Sequence, residues 1–61
     1  MEVVTMMLEL SEPLAEELRT TLGEVLGDMS SEIADTDNPV YRRNLEARRE
    51  RLTAIRSQLD G

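Results

Sequence analysis

Residues 32–45, EIADTDNPVYRRNL, decide the fold because this stretch holds both the end of one helix and the start of the next. Residues 36–38 are polar and suit helix ends, and Pro39 fits the first turn of a new helix, where a missing N–H costs no hydrogen bond. A connection this short turns the chain back on itself. The stretch therefore predicts a tight turn at residues 36–38 between two antiparallel helices.

Upstream of the turn, one apolar stripe predicts a first helix over about residues 12–35. Ser11 offers a side-chain N-cap, and Glu12 and Pro13 suit the first helical turn. Gly23 and Gly27 weaken the helix, and the sequence leaves open whether it breaks at either of them. The apolar residues that recur at intervals of three and four are Leu14, Leu18, Leu22, Val25, Leu26, Met29 and Ile33.

Downstream of the turn, heptad spacing predicts a second helix over about residues 39–59. Arg48 occupies the one seam position that is not apolar, so it must either point outward or meet an acid such as Asp28 or Glu24. We interpret Arg48 as a residue that fixes register or oligomeric state. The apolar seam residues are Tyr41, Leu45, Leu52, Ile55 and Leu59.

The charges separate at the same turn. Residues 1–38 carry ten acids and one Arg, whereas residues 39–61 carry six Arg and three acids. In a hairpin folded about Asp37, the arginines on one edge of the second helix lie at the same height as acids of the first helix. Opposite charge should therefore select the antiparallel pairing of the two helices, and burial of apolar side chains should stabilise it. The expected pairs are Arg42 with Glu32, Arg49 with Glu24 and Arg56 with Glu17.

The N-terminal run over about residues 3–10, VVTMMLEL, predicts a short β-strand because its apolar residues alternate. A lone strand is not stable, so it must pair, most simply with its copy in a second subunit. A frayed terminus is the alternative. The apolar strand face would consist of Val4, Met6, Leu8 and Leu10.

Size and composition limit the function classes. The chain has 61 residues, a net charge of −6, no His and no Cys. A domain this small buries too little surface for a comfortable margin of stability, and without disulfides or a zinc site, oligomerisation is the remaining source. The acidic balance opposes binding to nucleic acid or to anionic membranes. We also predict no catalytic residue, no metal and no cofactor, because the commonest bases, nucleophiles and ligands are missing.

The predicted architecture is all-α, an antiparallel two-helix hairpin with a short N-terminal strand that dimerises into a four-helix bundle. The predicted role is that of a small, non-enzymatic, cytoplasmic interaction or structural module. It would act as a homodimer or higher even oligomer, and an unidentified protein partner is a further possibility. The residues assigned to the oligomer interface or to register are Val4, Met6, Leu8, Leu10, Leu26, Met29 and Arg48.

Two family resemblances accompany this prediction. LELSEPLAEEL, from Leu8, and EIADTDNPVYRRNLEARRERL, from Glu32, resemble a family of short bacterial proteins, which implies the same hairpin and no particular activity. MLELSEPLAEEL is also similar to the strand and first helix of ribbon-helix-helix DNA-binding proteins, including antitoxins, and LGDMSSEI to their turn into a second helix. That likeness implies a DNA-binding regulator as the alternative function. Glu9, and the lack of Arg or Lys on the outward strand face, oppose it.

Overall fold

The structure is a hairpin of two helices that run antiparallel. The computed structural model describes residues 4–60, in which helix α1 spans Glu12–Asp35 and helix α2 spans Pro39–Asp60. The first half of α1 meets the end of α2, where Arg19 Nε lies 3.9 Å from Asp60 Oδ1. The predicted all-α helical hairpin is therefore confirmed.

Hydrogen bonds from polar side chains hold the turn between the helices. The Asn38 Oδ1 atom accepts the backbone N–H groups of Val40 at 3.0 Å and Tyr41 at 3.1 Å. These N–H groups belong to the first turn of α2 and have no partner within the helix, so Asn38 is its N-cap. On the other side, the Thr36 N–H donates to the Glu32 carbonyl at 3.0 Å and closes α1. The sequence DTDNP thus ends one helix and starts the next within three residues.

The start of α1 differs from the prediction in one detail. Ser11 occupies the N-cap position with extended backbone angles, but its hydroxyl makes no capping hydrogen bond. Pro13 stands at the second helical position and has no N–H, so the Leu14 N–H is the one remaining donor that such a cap could bind. The Ser11 carbonyl still accepts the first helical hydrogen bond, from the Ala15 N–H at 2.9 Å.

Helix α1 continues without a break through both glycines. None of the glycines among residues 4–60 has a positive φ angle, and residues 12–35 form one helix of 24 residues. Ser30 therefore lies inside α1, where the ribbon-helix-helix resemblance would require the start of a separate second helix. Helix α1 therefore does not break at Gly23 or at Gly27.

The segment from residue 4 to residue 10 forms neither helix nor strand in the single chain. Its apolar side chains are mostly exposed, with Met6 82% and Met7 88% accessible to solvent. The predicted strand over residues 3–10 must pair to be stable, most simply with its copy in a second subunit, so it stays a prediction. Val3 lies outside the described residues.

The hairpin is thin and poorly buried. It measures 40 × 29 × 13 Å, and its smallest dimension is close to the diameter of one helix, about 10–12 Å. The radius of gyration is 13.8 Å, whereas a compact domain of this length has about 10.5 Å. Its accessible surface is 5290 Å², against about 4,000 Å² for a globular protein of this mass. The buried core of residues 4–60 consists of Leu22, Met29 and Leu45.

Candidate interaction surface

Three parallel rows of side chains, each with a spacing of seven residues, divide the inner half of α2. The middle row faces α1, since Leu45 is buried and Leu52 and Leu59 are half-buried. One flanking row consists of Arg42, Arg49 and Arg56, and the other consists of Tyr41, Arg48 and Ile55. The hairpin therefore has two different faces, one on each side of the leucine row.

On one face, the arginines of α2 reach across to α1. Arg42 Nη2 donates to the Thr36 carbonyl, and Arg49 Nη1 donates to the Ser30 hydroxyl at 3.4 Å. The Arg56 guanidinium lies over Gly23, 3.9 Å from the place that a Cβ atom would take. Long arginine stems can cover apolar surface while their charged ends stay near water. We call Arg19, Arg42, Arg49 and Arg56 the arginine face.

The prediction of ion pairs on the arginine face is wrong. Among residues 4–60, the ion pairs are those of Arg19, with Glu12 at 3.7 Å and with Asp60 at 3.9 Å. Glu24 comes level with the arginines but does not face them, because it stands two residues after the buried Leu22, about 200° around the helix. The predicted partners Glu17 and Glu24 are exposed.

The opposite face carries exposed apolar side chains. Tyr41 marks this face, because its hydroxyl donates to Glu32 Oε2 of α1 at 3.0 Å. Ile55 lies in the same row as Tyr41 and is 48% exposed. Tyr41 and Ile55 were predicted in the seam between the helices, but both are exposed and flank the leucine row that occupies it.

Helix α1 extends the same apolar face. Leu18 and Val25 precede Glu32 at intervals of seven, so they share its side of the helix, and both are half-buried. Leu14 lies one turn before Leu18 and is 59% exposed. These apolar side chains lie on the same side of both helices, among polar and charged residues of the same rows. We call Leu14, Leu18, Val25, Tyr41 and Ile55 the apolar face.

The hydrogen bond between Tyr41 and Glu32 also affects ionisation. It raises the pKa of Tyr41 above its ordinary value of 10.0, first because the Glu32 carboxylate holds the phenolic proton. The negative charge of Glu32 further opposes formation of the phenolate, and desolvation acts in the same direction. Tyr41 therefore stays a neutral donor at physiological pH.

Arg48 lies on the apolar face, between Tyr41 and Ile55 in their row. It is exposed and makes neither a hydrogen bond nor an ion pair with any residue from 4 to 60. Of the two options predicted for Arg48, the single chain therefore has the outward one. Its role in register or oligomerisation concerns a second copy and stays a prediction.

The other residues predicted for an oligomer interface fall into three environments. Val4, Met6 and Leu8 are exposed, and Leu10 is half-buried at the end of the N-terminal segment. Met29 is buried between the helices of its own chain, and Leu26 is half-buried. Leu26 is seven residues after Arg19, which places it on the side of the arginine face. Leu14 and Ile55, which are more exposed than either, were not selected from the sequence.

Surface depressions elsewhere on the hairpin run along single helices. The larger one lies on the outer side of α2 between Arg49 and Ser57, and a smaller one lies near Pro13 on α1. Neither brings side chains of both helices together. Within residues 4–60, no three acidic side chains are grouped to hold a metal ion, and neither helix is long and apolar enough to cross a membrane.

Comparison of the chain with protein-family models, with curated proteins and with solved structures found no match. The resemblance to short bacterial helical-hairpin proteins therefore stays a prediction.

Proposed function

We propose that this chain is a non-enzymatic interaction module that works as a homodimer. Two hairpins would pack through their apolar faces into a four-helix bundle, and the N-terminal segments would pair as strands at one end. The observation that carries this proposal is the exposure of Leu14, Tyr41 and Ile55, beside the half-buried Leu18 and Val25, on a hairpin only one helix thick.

The exposed area of the chain is large enough for an interface with a second hairpin. The chain exposes about 1,300 Å² more than a compact protein of its mass. A stable interface of standard size buries about 800 Å² on each partner. A second chain that covers the apolar face and pairs with the exposed N-terminal segment would therefore bury an area of this size.

The stability of the chain supports the same conclusion. Among residues 4–60, the buried side chains are Leu22, Met29 and Leu45, which make a small core. A core this small rarely supplies more than about 3–5 kcal/mol in a domain of this length. Folding and association should therefore be coupled.

The non-enzymatic part of the proposal is supported by the lack of His and Cys. The cytoplasmic location stays a prediction from the sequence.

Sedimentation equilibrium combined with circular dichroism tests the dimer. The variant Ile55→Glu places a charge on the apolar face, and Ala54→Glu makes the same change at an exposed neighbouring position on the outer side of α2. We expect Ile55→Glu to shift the molecular mass to that of a monomer and to lower the helix content, whereas Ala54→Glu remains a helical dimer. A wild-type chain that is monomeric and fully helical at all concentrations would refute the proposal.

A different measurement distinguishes the DNA-binding alternative from the proposed interaction module. A regulator of the ribbon-helix-helix type should bind generic duplex DNA in low salt, since phosphate contacts dominate such binding. The net charge of −6 opposes this. Fluorescence anisotropy with a labelled duplex should show no binding for the module that we propose, and binding that weakens with salt would favour the regulator.

A further inference from the structure

We infer that in the dimer each α2 packs on the α1 helix of the partner subunit, so that both turns lie at the same end of the bundle. This rests on the proposed function, because it specifies how the two hairpins are arranged. Two hairpins that meet through the same face, with their helices aligned, can be related by a two-fold axis along the helices or across them. In the first arrangement α2 lies on the partner's α1, and in the second each helix lies on its own copy.

Arg48 argues against the axis across the helices. It lies near the middle of α2, which spans Pro39–Asp60, and it is exposed on the side of the apolar face. An axis across the helices passes close to their midpoints, so Arg48 would face Arg48 of the partner subunit. Two like charges within an apolar interface are unfavourable, because neither gains a partner for the water that it loses.

The axis along the helices gives Arg48 an acidic partner. In that arrangement Arg48 faces α1 of the partner subunit. This helix holds Asp28 and Glu32 on the side of the apolar face. Asp28 belongs to the row of Leu14, at twice the heptad spacing, and Glu32 belongs to the row of Val25. Helical side chains lean toward the N-terminus of their helix, so Arg48 reaches toward the turn, where both acids lie. Because Glu32 already accepts from Tyr41, we assign Asp28 of the partner subunit to Arg48.

The overall charge of the helices favours the same arrangement. Residues 1–38 carry a net charge of −9 and residues 39–61 a net charge of +3, from the acids and arginines of each part. Contact of α1 with α2 of the partner joins opposite charges, whereas contact of α1 with its own copy joins two acidic helices. Complementary charge of this kind selects partner and orientation.

The strand pairing of the N-terminal segments in the proposed function favours the same axis. Residues 4–10 can span about 23 Å when extended. With the axis along the helices, both segments leave the bundle at the end opposite the turns and can pair over their whole length. With the axis across the helices, the segments start at opposite ends of α1, about 36 Å apart for its 24 residues, and only their tips could meet.

Spin-label distances distinguish the arrangements. The chain has no native Cys, so Asp37→Cys and Ala47→Cys each provide one labelling site for each subunit, and both positions are exposed. Asp37 lies in the turn, and Ala47 lies near the middle of α2 on its outer side. For a nitroxide at position 37 we expect a separation of about 10–20 Å, and at position 47 about 30 Å, from helix separations of about 10 Å. Double electron–electron resonance and continuous-wave line broadening cover this range.

The opposite pattern would overturn the inference. An axis across the helices puts labels at position 37 about 35 Å apart, because they stand at opposite ends of the bundle, and brings labels at position 47 to about 15 Å. A dimer with those distances would refute this arrangement and leave the proposed function intact. Labelled chains that sediment as monomers and give no distance would refute the proposed function itself.

A charge exchange tests the assigned pair. Arg48→Asp should raise the dimer dissociation constant at least about tenfold, since it sets Asp against Asp28 of the partner subunit. Adding Asp28→Arg should restore association to near the wild-type value. Arg43→Asp, on the outer side of α2, is the matched control and should leave association unchanged. A single variant without effect, or a double variant without recovery, would overturn the pairing of Arg48 with Asp28.

Discussion

The Tyr41 hydroxyl donates a hydrogen bond to Glu32 Oε2 at 3.0 Å and joins the first turn of α2 to the last turns of α1. This contact spans the interhelical turn on the apolar side, and Arg42 spans it on the other side through the Thr36 carbonyl. The two consecutive residues Tyr41 and Arg42 thus fix α2 against α1 from both faces. They also separate the apolar face from the arginine face at the closed end of the hairpin.

The raised pKa of Tyr41 predicts a specific titration curve. Tyr41 is the sole tyrosine, so absorbance of the phenolate near 295 nm reports this residue alone. We expect a midpoint above 10.0 in the folded chain and a return toward 10.0 in denaturant. Glu32→Gln should lower the folded midpoint because the amide carries no charge, whereas Glu24→Gln, on the outer side of α1, should not. Equal midpoints in folded and unfolded chains would contradict the hydrogen bond.

The same shift predicts how stability depends on pH. Because the folded chain holds the phenolic proton more tightly than the unfolded chain does, the contribution of this contact is complete below the unfolded pKa, near 10. It is lost as the pH rises through the higher folded pKa. Urea denaturation between pH 8 and pH 11 should therefore show a loss of stability in the wild type that Tyr41→Phe lacks. An identical decline in both would mean that other groups control alkaline unfolding.

The N-cap of α2 predicts a loss of stability in Asn38→Ala. The Asn38 Oδ1 atom satisfies two N–H groups, and loss of such a cap costs about 1 kcal/mol. Asn38→Asp keeps an acceptor at the same place and should retain most of the stability. Asn44→Ala, at an exposed position within α2, is the control and should be neutral or slightly stabilising. Thermal unfolding at one fixed chain concentration measures all three variants, and equal melting of the Asn38→Ala and Asn44→Ala variants would contradict the cap.

The sequence predicted the elements of this hairpin better than the orientation of its faces. Asn38 and Pro39 carry a local signal for a turn, and the spacing of three and four in α1 requires a helix. The choice between the Tyr41 row and the Arg42 row as the inner flank depended instead on packing. Arginine stems can cover the edge of a seam as apolar residues do, so hydrophobicity alone does not identify the row that contacts α1.

The same limit applies to the charge pairs and to the candidate surface. Two residues at the same height in a hairpin do not necessarily face each other. Glu24 is an example, because its side chain points away from Arg49. Leu14 could have been found because it lies one helical turn before Leu18, and Ile55 because it lies two heptads after Tyr41. Their exposure became evident only once the seam was located, because exposure depends on which row the partner helix covers.

Gly27 predicts a gain of stability on substitution by Ala. Its φ angle is not positive, and an added Cβ would meet nothing within 4 Å. Gly27→Ala should therefore add up to about 1 kcal/mol, by reducing the entropy lost when α1 forms. Gly23→Ala should add a similar amount, because its Cβ would lie 3.9 Å from the Arg56 guanidinium, at an ordinary van der Waals distance. Chemical denaturation measures both, and a destabilised Gly27→Ala variant would mean that another chain packs against the outer side of α1.

Leu14 and Val40 together test whether the apolar face is covered in solution. They are similarly exposed in the single chain, at 59% and 61%, but Leu14 lies on the apolar face and Val40 on the outer side of α2. If a second hairpin buries Leu14, Leu14→Ala should cost about 1–2 kcal/mol, and its melting temperature should depend more steeply on chain concentration. Val40→Ala should change stability little, because Val40 remains in water and Ala favours the helix. Thermal unfolding at several chain concentrations compares them. Equal and small effects would mean that Leu14 stays exposed and that no second copy covers this face.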